Sequence, residues 1–303
     1  MHRQFKYVNI PKGALDMGKV LDPGKITANM PMDERMRLFR DHVQIIPIRF
    51  IVGHEKLDGG LLGEKIANLY EKGSIKKPVY ATILEKKGQK AVVIRDGHHK
   101  VWVVLNYFGV THIPAVLCDP QGLEIGAWYA QVRDPDRVSM SIGANVRECS
   151  LKEGQEMLGQ RLAYFVAMRL EADGMHYFAF PSDSGKPVSL DRIEKRQSLL
   201  LDGLRKKKHL KVQYVHDDAY GAALEAGCTV FAREPLGEED IERQVIRGRL
   251  FSPKSTWHKN LPPMPENIRI PIWMLQQPLD EAYELVRGLF VQKEKKEEEK
   301  KLV

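Results

Sequence analysis

The sequence predicts an α+β protein: a small mixed-sheet domain over residues 43–132, then a second, helix-rich α/β region over 133–290. Three observations lead there. Apolar runs rich in Val and Ile at 43–52, 79–84, 91–95 and 113–118 have the length of strands. Between them, Leu62, Ile66, Leu69 and Tyr70 recur at helical spacing, and a second apolar helix candidate runs from the polar turn at 96–100 to Phe108-Gly109. Beyond Trp128 longer amphipathic patterns take over.

Residues 1–42 form an N-terminal extension carrying Pro and Gly, then a charged helix candidate over 32–42. The strand expected over 43–52 contains Pro47, which a sheet tolerates near an edge or a strand start. A polar turn at 53–60 leads into the first helix, and Gly73 supplies its stop. The strands at 79–84 and 91–95 are joined by the turn Lys86-Lys87-Gly88. In the second region, helices are expected over 151–170, 190–204, 219–226 and 238–247. Strands are expected at 210–215 and 229–233, and 180–187 reads as a Gly/Ser/Pro loop. The basic cluster 205–209 suits a helix C-terminus. Residues 291–303 hold a Lys/Glu run expected to be a solvated or frayed tail.

Composition bounds the possibilities. With 43% hydrophobic and 29% charged residues, the chain has the balance of an ordered globular protein rather than a disordered one. No apolar run is long enough for a transmembrane helix, so no membrane partner is expected. The N-terminus lacks the apolar core of a secretory signal, making the cytoplasm the expected location. Cys118, Cys149 and Cys228 lie far apart, and read as thiols in a reducing compartment rather than as disulfide partners or a zinc site. A net charge of +7 suits a nucleotide, a phosphorylated metabolite or a nucleic acid, and does not choose between them.

Three segments carry chemistry. The first is Asp96-Gly97-His98-His99-Lys100, between a strand and a helix. Asp96 stands where an N-cap belongs, and Gly97 would let the backbone approach a ligand closely. The N–H groups of the helix start attract phosphate, and His98, His99 and Lys100 add donors there. The second is His54-Glu55, whose carboxylate could serve as a general base. The third is Ser252-Pro253-Lys254-Ser255-Thr256-Trp257-His258, rich in groups that grip an anion. Each string alone is also ordinary surface-loop composition. Ser184-Gly185-Lys186 lacks the first glycine and the Ser/Thr of a P-loop, and no GxGxxG, GxSxG or HExxH occurs.

Together, in this order, the three segments resemble the free serine kinase branch of the ParB/sulfiredoxin-like superfamily, with its HE turn, DGHHR turn and late PPKTTRH loop. The likeness covers 43–118 and 250–274. It implies a ParB/sulfiredoxin-like fold, and transfer of a phosphate from ADP or ATP, with Mg²⁺, to the hydroxyl of a small metabolite, L-serine first. It further implies that Glu55 is the catalytic base. Asp96 would be a catalytic acidic residue that positions the metal or the nucleophile. Gly97, His98, His99 and Lys100 would hold phosphates, while Trp128, Lys254, Ser255, Thr256 and His258 would bind the substrate. Two positions depart from the family: Lys100 replaces an arginine, exchanging a bidentate fork for a point charge, and Trp257 replaces another. The competing reading is a ParB-like DNA- or nucleotide-binding protein without kinase activity, the only reading in which nucleic acid is the partner.

Overall fold

The computed structural model describes residues 10–11, 13–27, 29–86, 89–133, 146–182, 185–207, 209–264 and 268–301. The chain divides into two units. The first comprises 1–124, 238–253 and 258–303, and the second 125–237 and 254–257.

In the first unit, α1 (Met32–His42) leads directly into β1 (Val43–Pro47). The single strand expected over 43–52 is broken. After Pro47 the chain makes one 3-10 turn, Ile48–Phe50, and resumes as β2 (Ile51–Val52). Proline, with no N–H to donate, is where the ladder stops. The helix α2 (Gly59–Lys72) ends at Gly73, which adopts a left-handed φ of 55°. Then follow β3 (Ser74–Ile75), β4 (Val79–Lys86), β5 (Gln89–Asp96), α3 (His98–Phe108) and β6 (His112–Cys118). The middle of the turn expected between β4 and β5, Lys87-Gly88, lies outside the described residues.

The sheet order is β1-β6-β4-β5-β2, with Pro47 on the edge strand where the sequence expected it. β6 pairs antiparallel with β1 and parallel with β4, and is buried at every position, as a strand covered on both faces must be. The decisive pairing is β2 with β5, parallel, Val52 opposite Val93. Parallel neighbours leave the sheet at the same end. The turn after β2, with His54 and Glu55, therefore emerges beside the turn after β5, with Asp96 and Gly97.

The C-terminal stretch, 258–303, belongs to this first unit. Its long helix, Leu279–Lys301, buries Ala282, Val286 and Phe290 at four-residue spacing in the core that holds Met36 and Phe39 of α1. The charged tail is thus the continuation of a core-packed helix to Lys301.

The second unit opens with β7 (Ile125–Gly126) and contains an antiparallel six-stranded sheet. Its strands are β8 (Trp128–Arg133), β9 (Arg147–Cys149), β10 (Ala163–Glu171), β11 (Gly174–Pro181), β12 (Val212–His216) and β13 (Cys228–Ala232), in the order β12-β8-β13-β10-β11-β9. The helix expected over 151–170 ends at Gly159, and Arg161, at φ 57°, turns the chain into β10. Past an irregularity between Ala163 and Phe165, the run Phe165-Val166-Ala167-Met168 alternates between two cores. Phe165 and Ala167 pack with Ile193, Leu201 and Leu204 of the helix Leu190–Lys207; Val166 and Met168 pack with Leu158, Ala223 and Leu224 on the opposite face. Phe180 and Pro181, expected in a loop, complete β11. All three cysteines are free thiols. Among the described residues no helix is long and apolar enough to cross a membrane.

Candidate functional site

Gly97 is what makes the turn after β5 possible. Its φ is 110°, and a Cβ at that position would lie 2.7 Å from Val79 Cγ1. The missing Cβ thus lets the turn pack closely on Val79 of β4. Asp96 is not the N-cap. It is the last residue of β5; Gly97 caps α3 without any side-chain bond. The first helical hydrogen bond runs from Val101 N–H to the Gly97 carbonyl at 3.0 Å. The N–H groups of His98, His99 and Lys100 accordingly precede the helix's own hydrogen-bond ladder.

The two histidines are tied to the neighbouring loop. His98 Nε2 accepts the backbone N–H of His54 at 3.3 Å, and His99 Nε2 accepts that of Asp58 at 2.8 Å. Phe251 secures the same loop from the other side: its N–H donates to the His54 carbonyl at 2.8 Å, and its carbonyl accepts from Lys56 N–H at 2.9 Å. Half-buried Glu55 is held between these anchors, with a bridge to Phe251.

Lys100 Nζ donates to the carbonyls of Lys77 and Pro78 at 2.7 and 3.2 Å. Burial pushes its ammonium down to about 8, partly opposed by Asp96. For Asp96, burial alone would raise the carboxyl. Lys100 and Lys77, the latter 3.2 Å away, outweigh it and hold Asp96 below the usual carboxylate value.

Behind the turn lies a group of buried bases. His54 is fully buried, its ring centroid 4.7 Å from that of His98 and 6.3 Å from that of His258. Burial holds His54 well below the usual imidazole value, with His98, Arg95 and His258 adding to the effect. His258 is pushed down to about 3 by burial, then by Arg95 and His98. Arg95, which sequence reasoning missed, is buried. Its Nε donates to Thr82 Oγ1 at 2.8 Å and its guanidinium pairs with Glu238. Its one sequence signal was a charged residue ending a strand that is otherwise apolar from Ala91 to Ile94.

The late loop is shared between the units by chain order. Pro253 and His258 belong to the first, and 254–257 to the second. In the second unit the structure brings together Trp128 and Lys254, with Nζ 4.2 Å above the indole. It adds two residues that sequence reasoning did not single out. His216 stacks on Trp257 at 3.9 Å and meets Trp128 edge-on at 4.0 Å, while Asp217 accepts from Trp257 Nε1 at 3.1 Å. Burial lowers the His216 pKa, and Lys254 lowers it further against the opposing pull of Asp218 and Asp217. Ser255 and Thr256 are buried. Ser255 Oγ faces inward to the Glu194 carboxylate, 3.3 and 3.5 Å from its two oxygens, a different setting from that expected of a substrate contact.

Sequence comparison aligns 226 residues with the ADP-dependent L-serine kinase SerK of Thermococcus kodakarensis at 26% identity, covering 72% of this chain and 86% of the relative. This chain is similar in sequence to L-serine kinases. The ATP-dependent L-serine kinase of Desulfurococcus mucosus matches over 246 residues at 23% identity, covering 78% of this chain and 91% of that one. The fold is shared with a glutamate-to-glutamine variant of free serine kinase in complex with AMP: TM-score 0.58, 22% identity, 77% of this chain and 93% of that one. No family model matches the chain.

Proposed function

We propose that this chain is a small-molecule phosphotransferase that moves a phosphate from ADP or ATP to the hydroxyl of free L-serine, giving O-phosphoserine. The observation that carries the reading is the pinning of the Glu55 loop to the start of α3 through His98 and His99. It holds the loop that carries Glu55 against a helix start whose N–H groups suit a phosphate. The similarity to ADP- and ATP-dependent L-serine kinases supports the same chemistry. In this reading the first unit has the ParB/sulfiredoxin-like fold.

A serine hydroxyl is a weak nucleophile at neutral pH. Glu55 takes its proton as the oxygen attacks the terminal phosphorus of the donor, and the bond to the leaving nucleotide oxygen breaks in line. The backbone N–H groups at His98, His99 and Lys100, with the Lys100 ammonium, offset the charge that the phosphoryl oxygens carry. His98 and His99 serve chiefly through those N–H groups and through their hold on the loop, because Nε2 of each is already engaged. Gly97 gives the turn its shape. Lys254 and Trp128 are the proposed substrate contacts of the second unit.

Asp96 fits a role in holding Mg²⁺. It is an ionised, half-exposed carboxylate, the hard oxygen donor this ion prefers alongside phosphate oxygens and water. When bound, the ion would neutralise donor phosphate charge. Among the described residues, ligand atoms of three His, Cys, Asp or Glu converge within 4.8 Å only at Glu171, Asp173 and His176, so Asp96 is not part of a preformed cage.

The test is incubation of the protein with Mg²⁺, ADP or ATP, and a panel of hydroxylated metabolites led by L-serine, read by mass spectrometry. Phosphoserine is the expected product. A different phosphorylated panel member would reassign the substrate, and no product with either donor would overturn the reading.

A further inference from the structure

The helix Leu190–Lys207 buries a seam at helical spacing: Leu190, Ile193, Glu194, Gln197, Leu201 and Leu204. Four of these are apolar and belong there. The other two are polar, and burying a carboxylate is unfavourable unless it is paired. Glu194 is paired with the guanidinium of Arg233, which follows β13, and both side chains are more than nine-tenths buried. Gln197, one turn on, donates from Nε2 to the Tyr164 carbonyl at 2.7 Å. Replacing such an ion pair with apolar residues is often neutral or stabilising, so stability alone does not account for it.

What the pair reaches is the late loop. Ser255, with none of its surface exposed, donates from Oγ to the Glu194 carboxylate. The preceding residue, Lys254, is held in the left-handed region at φ 60°, a conformation that non-glycine residues adopt only when their surroundings enforce it. That backbone sets Lys254 Nζ over the face of Trp128.

We infer that Glu194 and Arg233 are positioning residues: acting through Ser255, they fix the backbone of Lys254 and so set where its ammonium meets the hydroxyl substrate. This rests on the phosphotransferase reading and gives a function to the helical part of the segment between the two motif-bearing regions. Neither residue touches substrate.

The experiment compares full-length wild type, Glu194→Gln, Ser255→Ala and the double variant. Steady-state kinetics is read with L-serine and nucleotide varied separately, and amide hydrogen exchange is followed on peptides covering 250–258. Each single substitution is expected to raise KM for L-serine about tenfold while nucleotide KM and kcat stay within about twofold, and the double variant to rise no further than the worse single. Exchange at 254–257 is expected to quicken in all three. Ser255→Ala leaves the ion pair intact, so it reports even where Glu194→Gln folds poorly. Faster exchange with an unchanged L-serine KM would overturn the positioning role and leave the kinase reading standing. Unchanged exchange in Ser255→Ala, or additive effects in the double variant, would overturn the route through Ser255. A wild type that phosphorylates nothing would instead sink the kinase reading, and this inference with it.

Discussion

The backbone N–H of Asp58 donates to Nε2 of His99 at 2.8 Å, and that of His54 to Nε2 of His98. An imidazole that accepts at Nε2 carries its proton on Nδ1. Both rings are thus committed to one tautomer by the loop that carries Glu55. Nitrogen-15 shifts of the labelled protein should show the Nδ1–H form at His98 and His99. Nε2–H signals at both would contradict the loop geometry. Removing the His99 contact with His99→Ala should lower turnover more than nucleotide affinity, because the loop, rather than the helix start, is what loosens.

Gly97 should tolerate no side chain. Gly97→Ala combines a φ of 110° with a Cβ 2.7 Å from Val79 Cγ1. Strain of this kind costs on the order of 1–3 kcal/mol before the clash is added. Thermal unfolding should show a clear loss of Tm, and Val79→Ala in the same chain should recover the steric part but not the φ part. A Gly97→Ala variant as stable as wild type would mean that the turn has another conformation.

Stability should fall on the acid side. His54 and His258 are held neutral in the fold, below the ordinary imidazole value of 6.5, and His258 down to about 3. Below pH 6.5 the unfolded chain takes up protons that the folded chain refuses. Stability is therefore full above that pH and declines as pH drops, by about 1.4 kcal/mol per pH unit for His258 until pH nears 3, with His54 acting in the same direction. Denaturant unfolding at a series of pH values checks this, and His258→Gln should flatten the slope. A flat profile between pH 6.5 and 4 in the wild type would contradict the burial of these rings.

Lys100 gives a second pH window. With its ammonium pushed down to about 8, positive charge at the helix start is lost as pH rises through that value. Nucleotide affinity measured by calorimetry should weaken from pH 7 to 9 in the wild type and lose that dependence in Lys100→Gln. The same dependence in both would place the titrating group elsewhere.

The strands of the first unit were legible because Val- and Ile-rich runs bounded by glycine leave few alternatives, and its motifs because they sit in the turns those strands create. What local pattern could not show was set by distant partners. The 151–170 segment is apolar enough for a helix, yet Gly159 and the pairing of β10 with β11 and β13 turn its second half into a strand. Asp96 reads as a cap until the pairing of Tyr80 with Asp96 extends β5 by a residue. Glu194, His216 and Asp217 have no motif, because only the tertiary fold brings them to Ser255 and Trp257, as it brings Arg233 to Glu194. Arg95 was hidden for the same reason, its partner Glu238 lying far along the chain.

We propose Glu55 as the base of a phosphotransfer to L-serine. The most direct test is phosphoserine formation by wild type and Glu55→Gln, with nucleotide affinity measured on both. The account predicts product from the wild type, a loss of turnover of about 10² or more in the variant, and nucleotide binding unchanged within about threefold. A variant that turns over serine as fast as the wild type would contradict it.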